Sequence, residues 1–163
     1  MSVADIVAEV AAFDTRHVCV TGGEPLAQPN CHALLRTLCD EAYDVSLETS
    51  GALDIAGVDP RVTIVMDLKT PGSGELERNR WDNVEHLKAG DQVKFVIADR
   101  ADYEWSTSRV AELGLTERFS VLFSPVWGDD TARRLAEWIL EDRLDVRFQI
   151  QLHKVLWGDV PGH

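Results

Sequence analysis

The chain of 163 residues has no apolar run approaching the ~20 residues that a membrane-spanning helix needs. It is also short of positive charge. Sixteen Lys and Arg face 28 Asp and Glu, a formal charge of −12. That balance argues against a nucleic-acid backbone or an anionic membrane as the main partner. Cysteine is scarce: Cys19, Cys31 and Cys39 are the whole set. An odd number argues against a disulfide framework, and spacings of twelve and eight match no compact metal motif. All three are expected as buried or half-buried free thiols. The opening MSVADIVAEV carries acid where a signal peptide carries base. These absences fit a soluble cytoplasmic protein acting on a small molecule.

Several familiar site motifs are absent too. There is no G-x-G-x-x-G, so Pro71-Gly72-Ser73-Gly74 is not a dinucleotide fingerprint. No Gly-Lys-Ser/Thr completes a phosphate loop, and no G-x-S-x-G supplies a nucleophile elbow. A hydrolase or a nucleotide-binding enzyme of those types is therefore not supported.

The apolar fraction, 45%, is enough for one domain with a core. Ser2 and Asp5 predict a capped helix over Val3–Phe13. A strand is expected at His17–Val20, then a helix after Pro29-Asn30. Val45, Leu47 and Thr49 alternate with Ser46 and Glu48 as a strand does. Val62–Leu68 reads as a strand buried on both faces. Trp81–Leu87 is a weaker helix, and Val93–Ile97 another strand. Asp102–Leu113 (helix), Phe119–Phe123 (strand), Ala132–Leu140 (helix) and Val146–Leu152 (strand) close the series. Alternation of this kind predicts a mainly parallel sheet with crossover helices. A (β/α) barrel and an open doubly wound sheet both fit, and both bind ligands at the carboxyl ends of their strands.

The unusual residues fall at those ends. The first strand runs into Thr21-Gly22-Gly23-Glu24-Pro25. The second ends in Glu48-Thr49-Ser50-Gly51, the third in Asp67-Leu68-Lys69-Thr70, the fifth in Ser124-Pro125-Val126-Trp127. The last ends in Leu152-His153-Lys154. Glycines let a ligand approach the main chain. A neighbouring carboxylate can take an ammonium group through a charge-assisted hydrogen bond. Gly-Gly-Glu therefore suits the amino-acid end of a cofactor.

Seven segments together carry a family resemblance. They are VTGGEPLAQ (Val20–Gln28), SLETSG (Ser46–Gly51), DLKTPGSGE (Asp67–Glu75), DQVKFVI (Asp91–Ile97), DYEW (Asp102–Trp105), FSPV (Phe123–Val126) and QLHKVLWGD (Gln151–Asp159). In order and nearly end to end, they resemble 7-carboxy-7-deazaguanine synthase. That is the radical S-adenosylmethionine (SAM) family of queuosine and 7-deazapurine biosynthesis. VTGGEP alone would indicate only the superfamily.

The resemblance implies an α/β fold, an incomplete (β/α) barrel of radical SAM type with mainly parallel strands, residues 1–163 forming one partial barrel domain. It implies a lyase that converts 6-carboxy-5,6,7,8-tetrahydropterin to 7-carboxy-7-deazaguanine with loss of ammonia. Its cofactors would be S-adenosyl-L-methionine, a [4Fe–4S] cluster and Mg2+. The enzyme would be a homodimer.

By position, Gly22, Gly23 and Glu24 would hold the methionine amino group. Glu48, Thr49 and Ser50 would lie near SAM. Asp67, Leu68, Lys69 and Ser124, Pro125, Val126, Trp127 would line its ribose and adenine. Thr21 and His153 would lie near the pterin. No catalytic residue is named by the resemblance, and none is assigned to His163. Of the five tryptophans, Trp127 is the one expected at a ligand and the others in packing.

One departure is large. The superfamily's C-x-x-x-C-x-x-C loop does not occur in the chain. Neither a cluster ligand set nor a magnesium ligand is present by position. The expectation is a chain lacking the family's first strand and cluster loop, inactive as written. A misplaced start codon, a fragmentary gene or a truncated paralogue would each give it. The alternative is a non-catalytic truncated paralogue retaining SAM or partner binding.

Overall fold

The computed structural model describes residues 1–128, 130–158 and 160. Asp159 of the last matching segment and His163 lie outside them. Six strands run in chain order, β1 to β6, in one sheet. They are β1 (His17–Val20), β2 (Asp44–Thr49), β3 (Thr63–Leu68), β4 (Gln92–Ile97), β5 (Ser120–Pro125) and β6 (Arg147–Phe148). The pairings of β1 with β2, β2 with β3 and β5 with β6 are all parallel. Helices alternate with the strands: α1 (Val3–Ala11), α2 (Cys31–Asp40), α3 (Arg100–Glu112), α4 (Leu115–Arg118), α5 (Thr131–Glu141) and α6 (Leu152–Trp157). The α/β expectation holds, with β1 and β6 as the sheet's edges.

The residues cluster into two compact units. The first spans Met1–Asp67 and Arg78–Gln92. Its opening helix starts as the sequence implies: Asp5 N–H donates to the Ser2 hydroxyl at 3.2 Å, and Ser2 N–H to the Asp5 carboxylate at 2.9 Å. The two bonds satisfy amides that a helix start otherwise leaves unpaired. Leu35, Leu38, Val45, Leu47 and Val62 form the core, with Cys31 and Cys39 packed among them. Val7, Val10, Val18 and Val20 cover it.

Within this unit β3 departs from expectation. It is not buried on both faces: Ile64, Met66 and Leu68 are buried while Thr63, Val65 and Asp67 are half-buried. Asp91, 1% exposed, fixes the entry of β3 by accepting from Ile64 N–H at 2.8 Å. The same carboxylate takes the Lys88 ammonium at 2.6 Å. Trp81–His86 is a 3-10 helix rather than an α-helix. Its fully buried Asn83 holds the loop after β2, donating to the Gly51 and Leu53 carbonyls and accepting from Ile55 N–H.

The second unit spans Leu68–Glu77 and Val93–His163. Phe123 sits in edge-to-face contact with Phe95 and Tyr103, at 5.6 and 6.0 Å between centroids. Such contacts favour one packing arrangement over alternatives. The end of the chain corrects the sequence reading. The strand expected over Val146–Leu152 has only two residues, and Leu152–Trp157 is helical. Leu152, Val155 and Leu156 already carried the helical i, i+3, i+4 spacing.

Candidate functional site

The first unit brings the first two predicted strand tips together through one carboxylate. Glu24 leaves β1 by way of Gly22 and Gly23, whose φ angles are +97° and +50°. A side chain at either would be strained, although the space around them is open. This turn aims Glu24 at the end of β2. There the Thr49 hydroxyl donates to its carboxylate at 2.9 Å. Ser50 gives two bonds, from its amide at 2.8 Å and from its hydroxyl at 2.5 Å. Leu26 N–H adds a fourth at 3.1 Å, so the side chain also caps the 3-10 turn Pro25–Ala27.

Burial alone would raise the Glu24 carboxyl above the ordinary range. The Ser50 hydroxyl and amide, the Leu26 amide and the Thr49 hydroxyl outweigh it and hold the group below that range. The site is thus a fixed anion at neutral pH. Its four donors match the roughly four lone-pair positions of a carboxylate. A cation can join only if a hydroxyl turns its proton away, and hydroxyls rotate where amides do not.

The other residues predicted here are not among the four donors to Glu24. Glu48 lies on the half-buried face of β2, opposite Thr49. Asp67 occupies the half-buried face at the end of β3. Thr21 and Gly22 form part of the wall of a cleft of about 280 Å³, with Ile6, Gln28 and Leu34.

In the second unit, Leu68 is fully buried, so only its main chain is open to a ligand. Lys69 is half-buried. Ser124 and Pro125 are buried at the end of β5, while Val126 and Trp127 are 42% and 44% exposed. Val126 and Trp127 line a cleft of about 430 Å³ with Gly128, Ile150, Gln151 and Val155. The Gln151 Oε1 atom is buried there without a hydrogen-bond partner, an acceptor waiting for a donor. Gln151 opens the last matching segment, but sequence reasoning assigned it no role of its own. His153 is exposed on α6 and is not among the walls of that cleft.

The cysteines do not fit a cluster. Cys31 and Cys39 lie in α2, with about 12 Å of helix axis between them. Both are buried in the apolar core. Burial raises both thiols, with the Glu24 charge adding to the effect at Cys31 and Asp59 at Cys39. A cluster needs thiolates. Cys19 is exposed on β1, against the expectation of burial. Among the described residues, no group of three or more His, Cys, Asp or Glu side chains is placed to hold a metal ion.

No family model matches the sequence. The 7-carboxy-7-deazaguanine synthase of Chlorobaculum tepidum is 45% identical over 161 residues, which are 97% of this chain and 73% of that protein. The chain belongs to the 7-carboxy-7-deazaguanine synthase family. The synthase of Koribacter versatilis is 39% identical over 152 residues, covering 85% of this chain and 67% of its own length. Crystalline QueE from Escherichia coli has the same fold, with a TM-score of 0.73 at 21% identity. The match covers 93% of this chain and 64% of the QueE chain. Streptococcus suis SuiB bound to S-adenosylmethionine also matches, with a TM-score of 0.61 at 16% identity over 93% of this chain and 42% of SuiB.

Proposed function

We propose that the chain binds S-adenosyl-L-methionine as the cofactor-binding part of a 7-carboxy-7-deazaguanine synthase. The observation that carries this reading is the Glu24 carboxylate, held by Thr49 and Ser50 beside two glycines of positive φ. It is a fixed anion that can take an ammonium group once one hydroxyl turns its proton away. The cleft with Val126, Trp127 and the unpartnered Gln151 Oε1 offers apolar walls and one acceptor, suited to a purine with an amino group.

The family reaction would turn 6-carboxy-5,6,7,8-tetrahydropterin into 7-carboxy-7-deazaguanine with loss of ammonia. Thr21 and His153 would serve the pterin. In the family such a reaction would draw its electron from a reduced [4Fe–4S] cluster, and Mg2+ would assist the substrate. Cys19, Cys31 and Cys39 do not fit the cluster. These 163 residues, alone, bind the cofactor without performing the reaction. Where the protein acts as these residues only, it is a SAM-binding or partner-binding homologue, and the family's homodimer is the first assembly to test.

Titration calorimetry with SAM tests binding, with Glu24→Gln as the control. Saturable heat that the substitution abolishes supports the reading; no heat from the unsubstituted chain refutes it. Anaerobic reconstitution with iron and sulfide tests the rest. Cluster absorbance together with SAM cleavage would overturn the claim of incompetence.

A further inference from the structure

Asp102 opens the DYEW segment, and the cofactor reading gives it no task. It is 1% exposed, near the start of α3. Its carboxylate accepts from two main-chain amides, Gly72 N–H at 2.8 Å and Ala98 N–H at 3.2 Å. Among the described residues it has no ion pair. A buried carboxylate without a cation is expensive to desolvate, and two amides offset only part of this. Asp99 already caps α3 by accepting from Asp102 N–H, so the helix start does not require a second acid. What the carboxylate gains is position.

It joins the exit of β4, the first turn of α3 and the loop Thr70–Gly74. That loop is fastened elsewhere as well. Thr70, 2% exposed, donates its hydroxyl to the Val96 carbonyl at 3.3 Å. The Ser73 hydroxyl closes back on the Thr70 carbonyl at 2.6 Å. A Cβ on Gly72 would stand 2.5 Å from the Asp102 Oδ2 atom. Glycine is needed there for closeness alone. The loop follows Leu68 and Lys69 directly, and the buried Leu68 can meet a ligand only with its main chain.

We propose that Asp102 is a positioning residue, whose carboxylate sets the path of Thr70–Gly74 and thereby holds the Leu68–Lys69 main chain for the nucleoside part of S-adenosylmethionine. The inference rests on the SAM reading. Asp102→Asn keeps the shape but turns an amide group toward the two N–H donors, which it can no longer both satisfy. Gly72→Ala attacks the same junction from the loop side.

The test is calorimetry on the full chain, unsubstituted and with each substitution, using SAM and 5′-deoxyadenosine as probes. Thermal melting is recorded alongside. Each variant is expected to weaken both ligands about tenfold, the scale of one well-aligned hydrogen bond. Loss of SAM affinity with 5′-deoxyadenosine unchanged would overturn the proposal, since the nucleoside half would then be untouched. Unchanged SAM affinity in folded variants would overturn it too. Failure of both variants to fold would reduce Asp102 to a structural clamp and end the proposal. A chain that binds SAM poorly before any substitution refutes the underlying reading instead, and the two failures are told apart by that first titration.

Discussion

Replacing Thr49 by Val removes one hydroxyl and keeps the side chain's shape. Thr49 is 3% exposed, so the change occurs out of water. The Glu24 carboxylate loses a donor at 2.9 Å, and a hydrogen bond to a charged group contributes about 1.5–3 kcal/mol. Gly51 N–H, which donates to the same hydroxyl oxygen at 3.2 Å, loses its acceptor, for about 1–3 kcal/mol more. The added methyl returns about 1 kcal/mol. The net expectation is a loss of about 1.5–5 kcal/mol at pH 7. Thr49→Ser keeps the hydroxyl and should lose only about 1 kcal/mol for one buried methyl.

The pH dependence separates the two parts of that loss. Glu24 titrates below its ordinary range in the fold, so its stabilisation is complete above the unfolded pKa of about 4.3. It fades as pH falls through the lower folded value. Thr49→Val removes one of the bonds that hold that value down, so the variant's loss begins at higher pH. The gap between the two proteins is therefore full at pH 7 and narrows as pH falls through the folded value, toward the Gly51 share alone. Urea unfolding followed by circular dichroism at pH 7 and at successively lower pH measures it. A gap under about 0.5 kcal/mol at pH 7, or one that does not narrow with falling pH, would refute the assignment of Thr49 as an anchor of Glu24.

Asn83→Leu should destabilise the chain by about 3 kcal/mol or more, because it strands two carbonyls and one amide of the loop after β2; a shift in urea midpoint at constant slope is the readout. A thiol reagent should modify Cys19 quickly in the folded chain and reach Cys31 and Cys39 only in denaturant. Rapid modification of all three without denaturant would contradict the packing of α2.

Much of the architecture was legible because it rests on local rules. Ser2 and Asp5 formed their reciprocal cap, and the strand at His17–Val20 stands where its apolar run placed it. Gly22-Gly23-Glu24 and Thr49-Ser50 were legible as strand tips, and the fold joins them. Glu48 points to the opposite face from Thr49, as the alternation read in the sequence requires. The burial of Leu68 beside the half-buried Asp67 follows in the same way. The tasks of Asp102, Asn83 and Asp91 were not legible. Each is a buried polar side chain that satisfies main-chain groups 27 to 32 residues away in sequence, and no local pattern marks such a partner. The strand end expected around His153 is helix for another reason: two residues of strand hand over to α6 within a stretch that fits either period.

The filled state of Glu24 bears on how a ligand could enter. Its two amide donors are fixed by the main chain, so only Thr49 or Ser50 can yield. The Thr49 oxygen also serves Gly51 N–H at 3.2 Å, and the side chain is buried. The Ser50 hydroxyl is half-buried and holds a longer bond, 3.4 Å, from Ala52 N–H. Ser50 is therefore the hydroxyl that can turn. Once turned, its oxygen accepts from the incoming ammonium while the carboxylate position it vacated accepts as well. The bond lost is replaced by two that carry the ligand's charge, and Thr49 keeps the carboxylate in place throughout. Shortening the acid to Asp would break this division, because one methylene less cannot span the Leu26 amide and the β2 tip together.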